Sequence, residues 1–191
     1  MTTATEVLRR EHDAILLMLD AAEALAGRLK AGEPVEPRLL EGTLEFFRLF
    51  ADQCHHGKEE DLLFPKLVEK GMQREMGPIG VMLHEHEQGR ALVRQMGQAA
   101  AEYQQGRPDA GAHWAHAARG YAMLLREHIA KENEILFVMA ERMLTAEEQR
   151  ALAVEFERVE LEKMGAGTHE RLHAQMNQLL ADIRKETTAA R

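Results

Sequence analysis

Two segments of the sequence carry a histidine and a glutamate four residues apart. His55 precedes Glu59 and His128 precedes Glu132, in strings that also share a lysine, a leucine and a phenylalanine at matching positions. On a helix, residues i and i+4 lie one turn apart on one face. An imidazole and a carboxylate placed in this way form a pair of ligands suited to a transition-metal ion. The two strings therefore predict two pairs of metal ligands.

A lone histidine precedes each pair at nearly the same distance. His12 lies 43 residues before His55, and His86 lies 42 residues before His128. The sequence thus contains an internal repeat, which indicates two similar helical hairpins. Half a helix, a loop and half a returning helix account for this spacing, so each lone histidine is expected at the level of its paired histidine. The predicted metal ligands are His12, His55, Glu59, His86, His128 and Glu132.

A second pair with the same spacing, His56 and Glu60, overlaps the first. The repeat matches His55 and Glu59 to the pair in the second half, whereas it matches His56 to Ile129, which offers no ligand atom. His56 also has acidic residues on its own helical face. We therefore predict that His55 and Glu59 bind the metal and that His56 lies nearer the solvent.

The ligand types restrict the metal. Burying two carboxylates in an apolar bundle costs several kcal/mol per ion, and a pair of divalent cations would offset this cost. Four imidazoles and two carboxylates suit iron or manganese better than calcium, which prefers oxygen ligands, and zinc is also compatible with them. Six ligands for two metals leave open coordination positions, which is the condition for binding a small molecule.

Prolines and glycines divide the chain into the helices that must position these residues. The expected helices cover about residues 3–29, 37–64, 78–105 and 109–144, and two more follow in the C-terminal segment. Pro65 is expected to end or kink the second helix. Thr145 and Glu148 form a predicted capping box at the start of the fifth. No stretch alternates as a strand does. We expect a metal-binding four-helix bundle over residues 1–144 and a C-terminal extension over residues 145–191, packed on the bundle.

Composition and charge exclude several classes of protein. The 191 residues carry a formal net charge of −8 without a basic cluster, which disfavours a nucleic-acid partner. The apolar runs are short and interrupted by charges, so no membrane span is expected. The N-terminal residues carry charges where a signal peptide would need an apolar stretch, so no signal peptide is expected. The single cysteine excludes an intrachain disulfide. We expect a cytoplasmic protein.

The string from His55 to Pro65, His-His-Gly-Lys-Glu-Glu-Asp-Leu-Leu-Phe-Pro, together with the isolated His12 and His86, resembles the hemerythrin-like family of HHE cation-binding domains. The resemblance covers about residues 3–144. It implies an up-down-up-down four-helix bundle around a non-haem di-iron centre, with two iron ions joined by an oxo or hydroxo bridge. It also implies that the four histidines are terminal ligands and that the two glutamates bridge the irons.

One departure from the oxygen carriers of this family matters for function. Those proteins have another histidine one turn from the lone histidine of the third helix, where this sequence has Met82 and Arg90. His84 lies two residues from His86 and so faces another way. The pattern is more similar to the six-ligand branch of the family, which is linked to oxidative and nitrosative stress and to the repair of iron centres.

The resemblance leaves two classes of function open. The first is a di-iron protein that reacts with or senses oxygen, peroxide or nitric oxide, including an oxidoreductase or a peroxide-decomposing enzyme. The second is a non-enzymatic module that binds oxygen or iron, or a sensor whose C-terminal helices signal to a partner. A structural zinc bundle is a weaker third option. The apolar faces of the C-terminal helices also allow a homodimer.

Four further features have no assigned role in the sequence. Cys54 is interpreted as a small core residue rather than a redox group. Tyr121 is interpreted as a core residue, with a role in lining the small-molecule pocket or donating a hydrogen bond to a bound oxygen species as the alternative. His169 and His173 are spaced as an i, i+4 pair without a repeated carboxylate, so helix packing is the favoured interpretation. Lys58 and its counterpart Lys131 are expected to be solvated or ion-paired.

Overall fold

A computed structural model describes residues 2–165 and 167–189, with side chains described for all of these except residues 163–164, 168–170 and 186–189. The described residues form six helices and no strand. The helices are Ala4–Lys30 (α1), residues 37–69 (α2), Pro78–Gln104 (α3), residues 110–143 (α4), Ala146–Met164 (α5) and Thr168–Ala189 (α6). Short connections turn the chain back after each of the first four. The predicted all-α fold, a four-helix bundle with two further C-terminal helices, is confirmed.

Local sequence signals fix where two of these helices begin. Thr3 precedes α1, and its side chain accepts a hydrogen bond from the Glu6 backbone while the Glu6 carboxylate accepts one from the Thr3 backbone at 2.8 Å. Thr145 and Glu148 form the same reciprocal pair at the start of α5, as the sequence predicted. Such capping boxes satisfy backbone donors that the first helical turn would otherwise leave unpaired.

Two helices of the bundle change their hydrogen-bond pattern partway. Helix α2 consists of Pro37–Phe46, the π-helical segments Phe47–His56 and Glu59–Leu63, and the α-helical Phe64–Glu69; α4 consists of Ala110–Lys131, the π-helical Glu132–Leu136, and Phe137–Met143. In the π-helical turns a backbone N–H donates five residues back, as Phe64 does to Glu59. Helix α2 continues through Pro65, because proline is tolerated in the first turn of the α-helical segment that begins there.

The apolar core is divided into two clusters along the bundle. The first contains Leu25 of α1, Phe47 of α2 and Trp114 of α4. The second contains Leu8 of α1 and Phe137 of α4. Between the two, each of the four helices contributes buried polar residues: Glu11, His12, His55, His56, Lys58, Glu59, His86, His128 and Glu132. The bundle therefore holds a polar layer, defined by these nine residues, between two apolar clusters.

The C-terminal helices pack against the bundle at both clusters. Leu152 and Phe156 of α5 belong to the second apolar cluster. Leu172, Met176 and Ile183 of α6 belong to the first. Burial of these side chains supplies the hydrophobic driving force for docking. In the part of the chain that the structure describes, no helix is long and apolar enough to cross a membrane.

Candidate metal centre

The first histidine pair of the polar layer joins α1 to α2. Nε2 of His12 lies 2.9 Å from Nε2 of His55, although 43 residues separate them in the chain. A carboxylate oxygen of Glu132, from α4, lies 3.1 Å from the same His12 nitrogen. The predicted level match between the lone and the paired histidine is thus present in the first hairpin.

The second histidine pair repeats this arrangement between α3 and α4. Nε2 of His86 lies 3.2 Å from Nε2 of His128. A carboxylate oxygen of Glu59, from α2, lies 3.5 Å from His86 Nε2. The structure therefore brings all six predicted ligands into one layer, with all four Nε2 atoms directed inward.

The two glutamates lie between the histidine pairs. The two oxygens of Glu132 lie 3.1 Å from His12 Nε2 and 3.2 Å from His128 Nε2. Those of Glu59 lie 3.8 Å from His55 Nε2 and 3.5 Å from His86 Nε2. Each carboxylate therefore contacts one histidine of each pair. This is the placement that a carboxylate bridging two metal ions requires.

The carboxylate oxygens provide a test of whether a metal fits. Both glutamates have no exposed surface, and none of their four oxygens accepts a hydrogen bond. Buried carboxylates that accept no hydrogen bond are strongly unfavourable, and coordination of cations removes that penalty. Ligand atoms of His12, His55, Glu59 and Glu132 all lie within 4.8 Å of one another, which is close enough for a shared cation. The donor set fits divalent transition metals.

Outer hydrogen bonds hold every one of the four imidazoles. Nδ1 of His55 donates to Glu11 at 2.9 Å, and Nδ1 of His128 donates to Glu85 at 3.0 Å. The other two rings follow the same rule: His86 Nδ1 donates to Glu60 at 2.6 Å and His12 Nδ1 to Asn133 at 3.0 Å. Such partners place the proton on Nδ1 and leave the Nε2 lone pair free for a metal.

These outer partners were not predicted from the sequence, although the repeat contains their signal. Glu11 and Glu85 each directly precede a lone histidine, and Glu60 and Asn133 each directly follow a predicted glutamate ligand. The pairing crosses between helices, because Glu11 holds the ring of His55 rather than that of its neighbour. Only the register of the packed helices shows that each glutamate contacts the histidine of the neighbouring helix.

Two lysines fix the outer carboxylates. Lys58 donates to Glu11, and Lys131 donates to Glu85, so the two halves of the repeat match again. Lys58 is buried and also lies 2.7 Å from Glu160 of α5. Of the two expected states for Lys58, solvated or ion-paired, the structure shows the ion-paired one.

The charges of the polar layer shift the pKa of its members. Burial and the neighbouring charge of Glu132 raise the pKa of Glu59 well above its ordinary value. Burial lowers the pKa of His55 to about 4, which keeps its ring neutral. Burial also opposes protonation of His128, but the charge of Glu132 outweighs it and raises the pKa of His128 to about 9. Neutral imidazoles and ionised carboxylates are the forms that bind metals, so metal binding would displace the protons that these shifts favour on Glu59 and His128.

The position of His56 corrects one prediction. Its side chain is only 3% exposed, although the sequence placed it nearer the solvent. Its ring stacks on that of His86, with centroids 3.9 Å apart and planes inclined by 16°. The α-helical periodicity used for the prediction does not hold here, because the segment Phe47–His56 is π-helical and places its side chains differently.

The remaining candidate residues lie outside the ligand set. His84 is exposed and lies 3.0 Å from Gln88, so it does not supply an inward-facing imidazole. Cys54 and Tyr121 are buried, and the Tyr121 ring packs against Phe47 with centroids 4.7 Å apart. Tyr121 lines a cavity of about 150 Å³ beside the polar layer.

The C-terminal histidine pair can be judged in part. His173 lies edge-on to Phe50, with ring centroids 5.2 Å apart, so it takes part in packing of α6 on the bundle. The side chain of His169 lies outside the described residues. The packing interpretation of the pair therefore stays a prediction.

Comparison with known proteins places the chain in a family. The model of the hemerythrin HHE cation-binding domain matches residues 3–140. The uncharacterized protein Rv1995 of Mycobacterium tuberculosis is 28% identical over 166 residues, covering 85% of this chain and 63% of that protein. The iron-sulfur cluster repair protein YtfE of Escherichia coli is 29% identical over 140 residues, covering 70% of this chain and 63% of that protein. No solved structure matches the chain. The match across residues 3–140 means that this chain belongs to the hemerythrin HHE cation-binding domain family.

Proposed function

We propose that this chain is a non-haem di-iron protein that reacts with or senses small oxidants such as oxygen, peroxide or nitric oxide. The observation that carries the proposal is the placement of two carboxylates between two buried histidine pairs. The similarity to an iron-sulfur cluster repair protein supports iron and a role in oxidative or nitrosative stress. The chain spans about 63% of the length of these relatives, so the proposal concerns the chemistry of the shared domain.

The proposal assigns a role to each of the six predicted ligands. His12 and His55 would hold one iron, His86 and His128 would hold the other, and Glu59 and Glu132 would bridge them. A bound iron pair supplies one-electron redox chemistry and open coordination positions for a small molecule. Manganese and zinc share part of this ligand chemistry, so metal analysis decides among them.

The surrounding residues would keep the site dry and rigid and would offset part of the charge of the metals. The two glutamates offset half of the charge of two divalent cations, which lowers the cost of burying them. The apolar clusters on both sides, with Phe64 and Phe137 next to the layer, exclude bulk water. Glu11 and Glu85, each fixed by a lysine, orient the rings of His55 and His128. Geometry of this kind is set before any small molecule binds, which limits the reorganisation that a reaction requires.

The reactivity of the reduced protein tests this function. Ferrous protein should lose its reduced state within seconds on mixing with peroxide, and it should give a new absorption spectrum with nitric oxide under anaerobic conditions. The His12→Ala variant, loaded with the same iron, should lose both responses, whereas His84→Ala should keep them. Ferrous wild-type protein that is inert towards both peroxide and nitric oxide would reject the proposed reactivity.

A non-enzymatic sensor is the second candidate, and one contact favours it. Glu160 of α5 lies 2.7 Å from Lys58, which donates to Glu11, the partner of His55. A continuous set of polar contacts thus joins the C-terminal extension, residues 145–191, to the polar layer. Hydrogen exchange in α5 should differ between ferrous and ferric protein if the extension reports the state of the iron.

A cytoplasmic location and a homodimer stay predictions. Light scattering would test the homodimer.

A further inference from the structure

One buried imidazole of the polar layer lies outside the six predicted ligands. Nε2 of His56 is inaccessible to solvent and has no hydrogen-bond partner. It belongs to a group in which ligand atoms of His56, Glu59, His86 and His128 all lie within 4.8 Å of one another. A buried nitrogen with an unpaired electron pair, next to two other imidazoles and a carboxylate, is placed as a metal ligand is.

The outer side of the His56 ring matches that of the other four histidines. Its Nδ1 lies 3.4 Å from a carboxylate oxygen of Asp52, the longest of the five Nδ1 contacts. Asp52 in turn accepts a hydrogen bond from Arg90 at 2.8 Å. The carboxylate favours the proton on Nδ1, so the Nε2 lone pair faces the layer. All five histidines of the polar layer thus have an oxygen acceptor at Nδ1 and direct Nε2 into the layer.

The backbone explains how two consecutive histidines reach the same layer. On an α-helix, neighbouring side chains point about 100° apart. His55 and His56 instead end a π-helical segment, where the Gly57 N–H donates to the Asp52 carbonyl five residues back. The two rings lie with their centroids 5.6 Å apart, and both are buried. π-helical turns of this kind occur frequently at functional sites.

A neighbouring cavity allows a different role for His56. The ring lines the cavity of about 150 Å³ together with Tyr121, Arg48, Arg90 and Arg94. A histidine that served only this cavity would direct its free nitrogen outward. Nε2 is instead inaccessible to solvent, and a ring nitrogen of His56 lies within 4.8 Å of ligand atoms of Glu59 and His128, so the free electron pair is placed towards the polar layer.

We propose that His56 is a third imidazole ligand of the metal held by His86 and His128. This inference rests on the proposed two-metal site and makes its two positions unequal. The position of His86 and His128 gains a third imidazole, whereas that of His12 and His55 has two. The open coordination position for a small molecule would then lie at the metal held by His12 and His55. The fifth imidazole comes from α2, not from α3, where the sequence has Met82 and Arg90.

The experiment counts imidazoles and measures metal affinity. Wild-type protein, His56→Ala, His56→Gln and the exposed control His84→Ala are each titrated with Co²⁺, and iron-loaded samples are examined by X-ray absorption. We expect five imidazoles per two metals in the wild type and four in both His56 variants. One of the two Co²⁺ affinities should fall at least about tenfold in those variants. Loss of a hydrogen-bond partner of a ligand already lowers metal affinity about 10–100-fold, and loss of the ligand itself should lower it at least as much. His84→Ala should match the wild type.

Two results would overturn the inference, and they are distinguishable. Wild-type protein that binds two metals through four imidazoles, with unchanged Co²⁺ affinities in both His56 variants, would reject the role of His56 alone. Wild-type protein that binds no pair of metals would reject the proposed function as well. Circular dichroism of the metal-free variants checks folding, and the imidazole count in the wild type decides the question even if both variants fail to fold.

Discussion

The carboxylate of Glu11 accepts a hydrogen bond from Nδ1 of His55 at 2.9 Å, across the interface between α1 and α2. Glu85 and His128 form the same contact between α3 and α4 at 3.0 Å. Each hairpin therefore holds the ring of its paired histidine with a residue from its other helix. The repeat found in the sequence extends beyond the predicted ligands to the residues that orient them.

Removal of an outer carboxylate should weaken one metal position and spare the other. Glu11→Ala is expected to lower the affinity of the position of His12 and His55 about 10–100-fold, because the His55 ring loses its anchor. Glu85→Ala should do the same at the position of His86 and His128. Titration with Co²⁺ measures both affinities. Equal weakening of both positions by each variant would contradict this separation.

The ion pair between Lys58 and Glu160 should contribute to stability. Glu160→Ala removes one carboxylate from a buried ammonium group, so the free energy of unfolding should fall by about 1–3 kcal/mol. The matched control is Glu162→Ala, which breaks the exposed pair with Arg158 and should cost less than about 1 kcal/mol. Urea unfolding of the two variants measures the difference, and equal losses would show that burial of Lys58 adds nothing.

Glu59 should destabilise the metal-free protein. Burial and the charge of Glu132 raise the pKa of Glu59, so the folded state binds more protons than the unfolded state above the ordinary pKa of 4.5. The free energy of unfolding of metal-free protein should therefore fall as pH rises above about 4.5, because the folded state binds a proton that the unfolded state has already lost. Glu59→Gln should reduce the fall and raise stability at neutral pH, while it weakens metal binding.

The control for Glu59 is Glu134→Gln, at an exposed position of α4. That variant should leave both the pH dependence and the metal affinity unchanged. Thermal unfolding of chelator-treated protein between pH 5 and 8 measures the stability of each variant. The control should stay within a fraction of a kcal/mol of wild type. A Glu59→Gln protein that is less stable than wild type at pH 8 would contradict the prediction.

Cys54 should be an unreactive thiol. It is 4% exposed, and burial raises its pKa to about 12 in spite of the nearby Lys58. Since the thiolate is the reactive form, the alkylation rate of folded protein should rise about tenfold per pH unit from pH 7 to 10 without levelling off. Unfolded protein should level off near an ordinary thiol pKa of about 8.5. A plateau below pH 9 in folded protein would indicate a reactive cysteine instead.

The sequence predicted the helices and the six inward-facing residues for physical reasons. Prolines, glycines and the Thr145 capping box mark helix ends. The i, i+4 spacing places His128 and Glu132 on one face of α4, and the repeat extends this pairing to His55 and Glu59. The prediction that His56 lies near the solvent was wrong because a π-helical turn cannot be recognised from the apolar periodicity of the sequence. The partners Glu11 and Glu60 escaped prediction because they act across helix interfaces, whose register the sequence does not state.

The most direct test of the two-metal site is the metal content of protein purified from iron-supplied cells, measured with its absorption spectrum. His55→Ala and His128→Ala, one from each half of the repeat, are measured beside the wild type, with His84→Ala as the exposed control. Wild type and control should contain two irons per chain and show an oxo-bridge absorption band, and both variants should lose the iron and the band. A wild-type protein without iron, or with iron that neither variant reduces, would contradict the two-metal site.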